Sequence, residues 1–377
     1  MTTPYTQFAA SQEVPPPYHY PGATVHGFVW EADMGAVQAY CDKFFNLPPD
    51  ETRGFRYRPA TFWPYAILLI INYPVMIAEC AAPGEETSYQ NRGVVCQKEA
   101  FVTFPVVRYG AAPEKILYQT ALEWALPFIA VQNPMSACCG REMLGLGKLL
   151  ADITTGEGVY PGSFNARVRL PGWRSDNVKQ EMLPFLDVAT APALPTFWGK
   201  GLKQPAKPAR KSLWSLFQSR EAGWVFDGLL SAANLADDLS VGMAPTVMRT
   251  VSLRQIRDAK DPDTALYQAL VTCRSHYDNV REFSFFNEAD VQISFYDTGS
   301  LSQALRAFLN PATAPAGGNI RLEPKSAFQF TADIDFDQTR TIYVYTAAGE
   351  NFAQSPSAGD LTAPWLRPLQ VFFSQRS

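Results

Sequence analysis

Leu126-Pro127-Phe128-Ile129-Ala130-Val131 reads as a strand, and after eight intervening residues comes Gly140-Arg141-Glu142-Met143-Leu144-Gly145-Leu146-Gly147-Lys148-Leu149-Leu150. One lysine stands here among leucines and glycines, with Arg141 seven and Glu142 six residues before it. Apolar surroundings disfavour the charged form of an amine, so a larger share is the free nucleophile near neutral pH. Imine formation with a carbonyl needs that form. A plainer reading stands beside it: the lysine stem packs on apolar neighbours while the ammonium reaches water.

Outside this stretch, composition narrows the field. The chain has 377 residues, 47% hydrophobic and 13% aromatic, ample for a large core in one big domain or two smaller ones. With 32 basic against 36 acidic residues and a net charge of -4, it carries no field suited to nucleic acid or an anionic membrane. Cysteines at 41, 80, 96, 138, 139 and 273 lack CxxC spacing and point to reduced thiols in a cytoplasmic setting. Adjacent Cys138 and Cys139 read as a buried pair of small apolar fillers before they read as a redox pair. With His19, His26 and His276 alone, and no H-E-x-x-H, no metal site is expected. Met1–Pro21 lacks the layout of a signal peptide, and the apolar run Tyr65–Ala78 is broken by Asn72 and Pro74 and too short to span a bilayer as a helix. A soluble protein is expected.

Gly140-Arg141-Glu142, five residues, then Lys148 resembles the signature of the acetoacetate decarboxylase family, in which the lysine after Gly-Arg-Glu forms an imine with a ketone. The family shows proline and two lysines at the end of the motif, where this chain has Gly147-Lys148-Leu149. A neighbouring ammonium and burial are both ways to free an amine, and here Leu146, Leu149 and Leu150 leave burial alone. Asp33-Met34 resembles the start of the family's first helix. Glu99, six residues before Pro105-Val106, takes the place of the family's active-site glutamate; without the resemblance it reads equally as a solvent-facing strand residue. The resemblance places Arg141, Glu142, Leu146 and Gln132 at the substrate. The family's early arginine, which meets the substrate carboxylate, has no counterpart: no arginine precedes Arg53. Arg53, Arg56 or Arg58 could substitute from a neighbouring loop, although arginines beside Gly54 and Pro59 are more often simply exposed.

The implied fold is α+β, a bent antiparallel sheet or incomplete β-barrel with helices packed around it. Residues 1–22 read as an extended, proline-rich arm, 23–345 as the domain, and 346–377 as a tail. Within the domain, strands are expected at Val25–Trp30, Tyr65–Ile71, Val94–Val107, Phe164–Leu170, Val247–Leu253, Ala265–Arg274, Glu282–Phe286 and Asp290–Tyr296, with a closing stretch at Ser326–Tyr345. Asp33–Phe45 suits an amphipathic helix, and Pro113–Trp124 and Ser302–Leu309 read as helical. An insertion at about 173–245 contains the loop Pro192–Pro208, a basic cluster (Lys203, Lys207, Arg210, Lys211) and the helical, aromatic-rich Ser212–Leu239. That helix fits a lid or a partner surface, and plain core equally well.

These features imply an enzyme in which Lys148 forms an imine and Glu99 shuttles protons, with no cofactor, acting as a decarboxylase or a related carbon–carbon lyase. The missing arginine favours an aldolase, dehydratase or cyclase on a larger apolar ketone, as in secondary metabolism. The rival is a non-catalytic barrel that binds a small ligand. The expected partners are a small ketone or keto acid and further copies of the chain in a homo-oligomer.

Overall fold

Val25, Gly27 and Val29 alternate with His26, Phe28 and Trp30 along one strand, and both sets are buried. A strand buried on both faces needs a layer on each side of it. The computed structural model supplies both layers. It describes residues 14–47, 53–61, 64–78, 95–111, 117–158, 162–173, 180–192, 247–261, 263–296, 305, 308 and 319–345.

In chain order the strands are β1 (Tyr18–Glu31), β2 (Phe55–Pro59), β3 (Tyr65–Ala78), β4 (Val95–Ala111), β5 (Leu117–Val131), β6 (Lys148–Leu150), β7 (Asp152–Glu157) and β8 (Phe164–Trp173). They continue with β9 (Gln180–Thr190), β10 (Val247–Arg257), β11 (Ala265–Phe285), β12 (Val291–Phe295), β13 (Ile320–Leu322), β14 (Ser326–Phe336) and β15 (Arg340–Tyr345). Ten strands form the main sheet in the order β2-β4-β3-β1-β14-β11-β10-β5-β6, with β15 on β11. A further antiparallel pairing of β4 with β5 ties opposite ends of that order together, so the sheet curls round on itself. The seam between β5 and β10 is only two residue pairs long, Thr250↔Trp124 and Val251↔Ala125, which leaves a strongly bent, incompletely joined barrel.

Inside the curl lie Val25, Val29, Leu69, Ile71, Phe101, Ile129, Val131 and Phe328. Outside it, Phe28, Leu68, Ile70, Phe128 and Ala130 pack against a second sheet of order β13-β12-β9-β8-β7, through Phe164, Val168, Phe185 and Ile293. Two-sided burial explains why the first half of β3, Tyr65–Ile71, is an unbroken apolar run where a half-exposed strand would alternate. Helix α1 (Met34–Phe44) joins the outer layer through Val37 and Cys41, and its first turn is capped by the Asp33 carboxylate, which accepts from the Gly35 and Ala36 amides.

Several expectations are corrected. The described residues contain two α-helices, α1 and α2 (Pro134–Glu142), so a second sheet covers the curl where packed helices were expected. The main sheet is mixed, because β5 runs parallel to β6 and to β10. Leu117–Trp124, read as helical, belongs to β5: the long β4 offers a ladder from Gly110 back to Pro105, and Tyr118 to Trp124 pair along it. Gln180–Thr190, inside the presumed insertion, is strand β9, and β1 begins at Tyr18, within the presumed arm. The helix expected at Ser212–Leu239, the basic cluster and the tail from 346 lie outside the described residues. No helix among the described residues is long and apolar enough to cross a membrane.

Candidate active site

Strand β5 lies between the two residues that the motif singled out. Glu99 of β4 sits opposite Val131, and Lys148 of β6 sits opposite Ile129. Residues two apart on a strand share a face, so carboxylate and amine emerge on the same inner side, and the long lysine stem closes the diagonal. Lys148 Nζ lies 3.2 Å from Glu99 Oε2 and 3.2 Å from Ser136 Oγ. Both Lys148 and Glu99 are 6% exposed. Gln97, two residues before Glu99 on the same face, donates to the same carboxylate oxygen at 3.3 Å.

Helix α2 supplies the serine. Asn133 caps it, its side chain accepting from the Met135 and Ser136 amides, and Pro134 opens the first turn, where a missing N–H costs nothing. Ser136, Cys139 and Gly140 then fall three and four residues apart and form the buried face of the helix. The lysine stem crosses that face at Gly140, where an added Cβ would stand 2.4 Å from Lys148 Cδ and 2.6 Å from Cε. The glycine of the motif is thus the gap through which the lysine passes. Gly145, at φ +66°, turns the chain back into β6, and Leu146 N–H bonds the Gly140 carbonyl at 2.8 Å.

The amine faces a cavity of about 30 Å³, room for roughly two waters. Glu99, Lys148 and Phe101 line it together with Tyr20, Tyr73 and Tyr277. Partly exposed Leu126, Met248 and Phe336 form the rim. Burial above all, reinforced by the nearby Glu99 carboxylate, holds Tyr20 and Tyr73 well above the ordinary phenol range and pushes Tyr277 up to about 12. All three phenols therefore stay neutral and able to donate. Cys273 also lines the cavity, and burial pushes its thiol up to about 12, with Asp337 adding and Lys148 subtracting. Among the described residues, no three His, Cys, Asp or Glu side chains cluster as metal ligands would.

A solved structure of acetoacetate decarboxylase from Legionella pneumophila superposes on this chain with a TM-score of 0.50 at 11% identity, covering 91% of this chain and 94% of that one. The fold is acetoacetate decarboxylase-like. A second acetoacetate decarboxylase structure gives a TM-score of 0.47 at 13% identity, over 89% of this chain and 93% of that one. No protein-family model and no curated protein matches the sequence.

Within this acetoacetate decarboxylase-like fold, Glu99, Lys148 and Leu146 line one cavity. Arg141, Glu142 and Gln132 do not: all three are exposed, Arg141 and Glu142 at the end of α2 and Gln132 just before it. Helical geometry explains the separation, since Ser136, Cys139 and Gly140 turn inward and the next two positions rotate away. None of the three arginines considered as substitutes lines the cavity. Arg53 is buried but bonds the Phe55 and Leu47 carbonyls, Arg56 reaches Asp42 at 3.5 Å, and Arg58 lies over the Tyr109 ring. The adjacent cysteines differ from expectation, with Cys139 buried and Cys138 exposed. Ser136, Gln97 and the three phenols escaped the sequence reading. For Ser136 a signal existed: Asn133-Pro134 is a helix start, and counting from it puts residues 136 and 140 on one face.

Proposed function

We propose that the chain is an imine-forming, lyase-type enzyme in which Lys148 attacks a ketone carbonyl. The observation that carries this reading is the buried amine 3.2 Å from the Glu99 carboxylate, both lining one cavity. A buried lysine–glutamate pair is a poor device for stability, since desolvation offsets most of the attraction, and an apolar pair of like volume would serve the fold as well. In a reaction the same pair has work to do. The Nζ lone pair adds to the carbonyl carbon, the oxygen leaves as water, and the protonated imine draws electrons from an adjacent bond. Loss of CO₂, retro-aldol cleavage or removal of an α-proton all deliver those electrons into an enamine. Glu99 takes or returns the proton, while Ser136 and Gln97 hold the amine and the carboxylate in place.

A ketone with sodium cyanoborohydride should label Lys148 irreversibly, and the labelled peptide should be identifiable by mass. Lys148→Ala is expected to abolish the label. Glu99→Gln should keep it but slow α-proton exchange by about 100-fold or more. Labelling that survives Lys148→Ala unchanged would remove the proposal and leave the non-catalytic ligand-binding barrel as the better account.

A further inference from the structure

Lys148 is the sole cation among the described residues that line the cavity, and it already faces Glu99. Imine formation does not change that balance, because a protonated imine carries the same single positive charge as the ammonium. The remaining polar wall consists of neutral groups: the phenols of Tyr20, Tyr73 and Tyr277, the hydroxyls of Thr250 and Ser275, and the Cys273 thiol. Two of these hydroxyls are committed to the main chain, Thr250 to the Cys273 carbonyl and Ser275 to the Met248 carbonyl. The other described residues of the wall are apolar. A substrate carboxylate entering this space would bring a second negative charge beside Glu99 with no further cation among the described lining residues to receive it, and an unpaired buried charge is strongly disfavoured. A carbonyl, hydroxyl or amide oxygen meets no such obstacle, since a neutral phenol can donate to it.

We infer that the site selects an uncharged ketone or aldehyde over a keto acid, so that its chemistry runs through the α-proton and not through loss of CO₂. This inference rests on the imine reading above. Lys148 Nζ adds to the carbonyl carbon and expels water, and the Glu99 carboxylate removes an α-proton from the protonated imine. The C–H electron pair becomes the enamine double bond. Return of a solvent proton and hydrolysis regenerate ketone and lysine, giving α-hydrogen exchange. An aldehyde in place of the returning proton would accept the enamine electrons and form a carbon–carbon bond. The cavity volume sets a further condition: a substrate beyond a few carbons must displace Leu126, Met248 or Phe336 at the rim.

Matched pairs that differ in charge alone test the inference. Acetoacetamide and pyruvamide should label Lys148 under cyanoborohydride at least tenfold more than acetoacetate and pyruvate at equal concentration. Acetone in D₂O should gain deuterium at its methyl groups in a Lys148-dependent manner, while acetoacetate should release CO₂ no faster than with the Lys148→Ala variant. Met248→Arg, which places a cation at the partly exposed rim, should raise pyruvate labelling relative to pyruvamide by about tenfold. Equal labelling by amide and acid, or Lys148-dependent CO₂ release, would overturn the selectivity and leave the imine intact. Absence of label from every carbonyl compound would instead bring down the imine reading itself.

Discussion

Gly140 shows how one missing side chain sets the site. In a helix, alanine is normally preferred to glycine by about 1 kcal/mol, so Gly140→Ala would ordinarily stabilise α2. Here the new methyl would stand 2.4 Å from Lys148 Cδ, and the flexible stem would yield before the backbone does. The expected result is a melting temperature within a few degrees of the parent and cyanoborohydride labelling of Lys148 reduced at least tenfold. Unchanged labelling would mean that the stem does not depend on this gap. The glycine, the lysine and the glutamate were legible from the motif because their spacing is local or lies along one strand. Tyr20, Tyr73 and Tyr277 were not, since they converge from three strands far apart in the sequence. Nothing around them in the sequence distinguishes a cavity tyrosine from Tyr57, which is equally buried but bonds Glu123 on the outer face.

At the scale of elements, β5 was half legible. Its second half, Leu126–Val131, reads as strand from the apolar run, whereas its first half becomes strand because β4 is long enough to pair with all of it. Tertiary pairing overrode local preference there. The contact between β1 and β8 was invisible in the sequence: the His26 ring stacks on Phe164 at 3.6 Å between centroids and 9° between planes, and His26 is 2% exposed. Burial pulls this imidazole down to about 3 from an ordinary 6.5, although a hydrogen bond with Gln329 works the other way. The folded state therefore resists a proton that the unfolded chain accepts. The neutral ring's contribution is fully present above pH 6.5 and is lost as the pH falls toward 3, at about 1.4 kcal/mol per pH unit. Glu282 of β11 lines a second cavity together with His26, so the measurement must be a difference. Between pH 6.5 and 4.5, His26→Leu should lose about 2 kcal/mol less unfolding free energy in urea than the parent. Parallel pH profiles for the two proteins would show that His26 does not remain neutral between the sheets.

For the whole molecule, the question is whether the second sheet merely covers the curl or holds it in shape. Phe185 of β9 is completely buried and packs on Phe128 at 4.9 Å and on Phe295 at 5.7 Å between ring centroids. Phe128 belongs to β5, and the next residue on that strand, Ile129, sits opposite Lys148. A force on the outer face of β5 is thus one residue away from the register that brings amine and carboxylate together. Phe185→Ala should cost about 3–5 kcal/mol, a large part of the roughly 5–15 kcal/mol that stabilises a typical domain. If the two sheets are one cooperative unit, urea unfolding followed by far-UV circular dichroism and by residual Lys148 labelling should give coincident curves in the parent, and both should move to lower urea together in the variant. Labelling that outlasts the main transition would mean that the curled sheet keeps its site without the outer layer. In that case the support for Lys148 comes from α2 and the curled sheet alone, and the second sheet serves only to cover apolar surface.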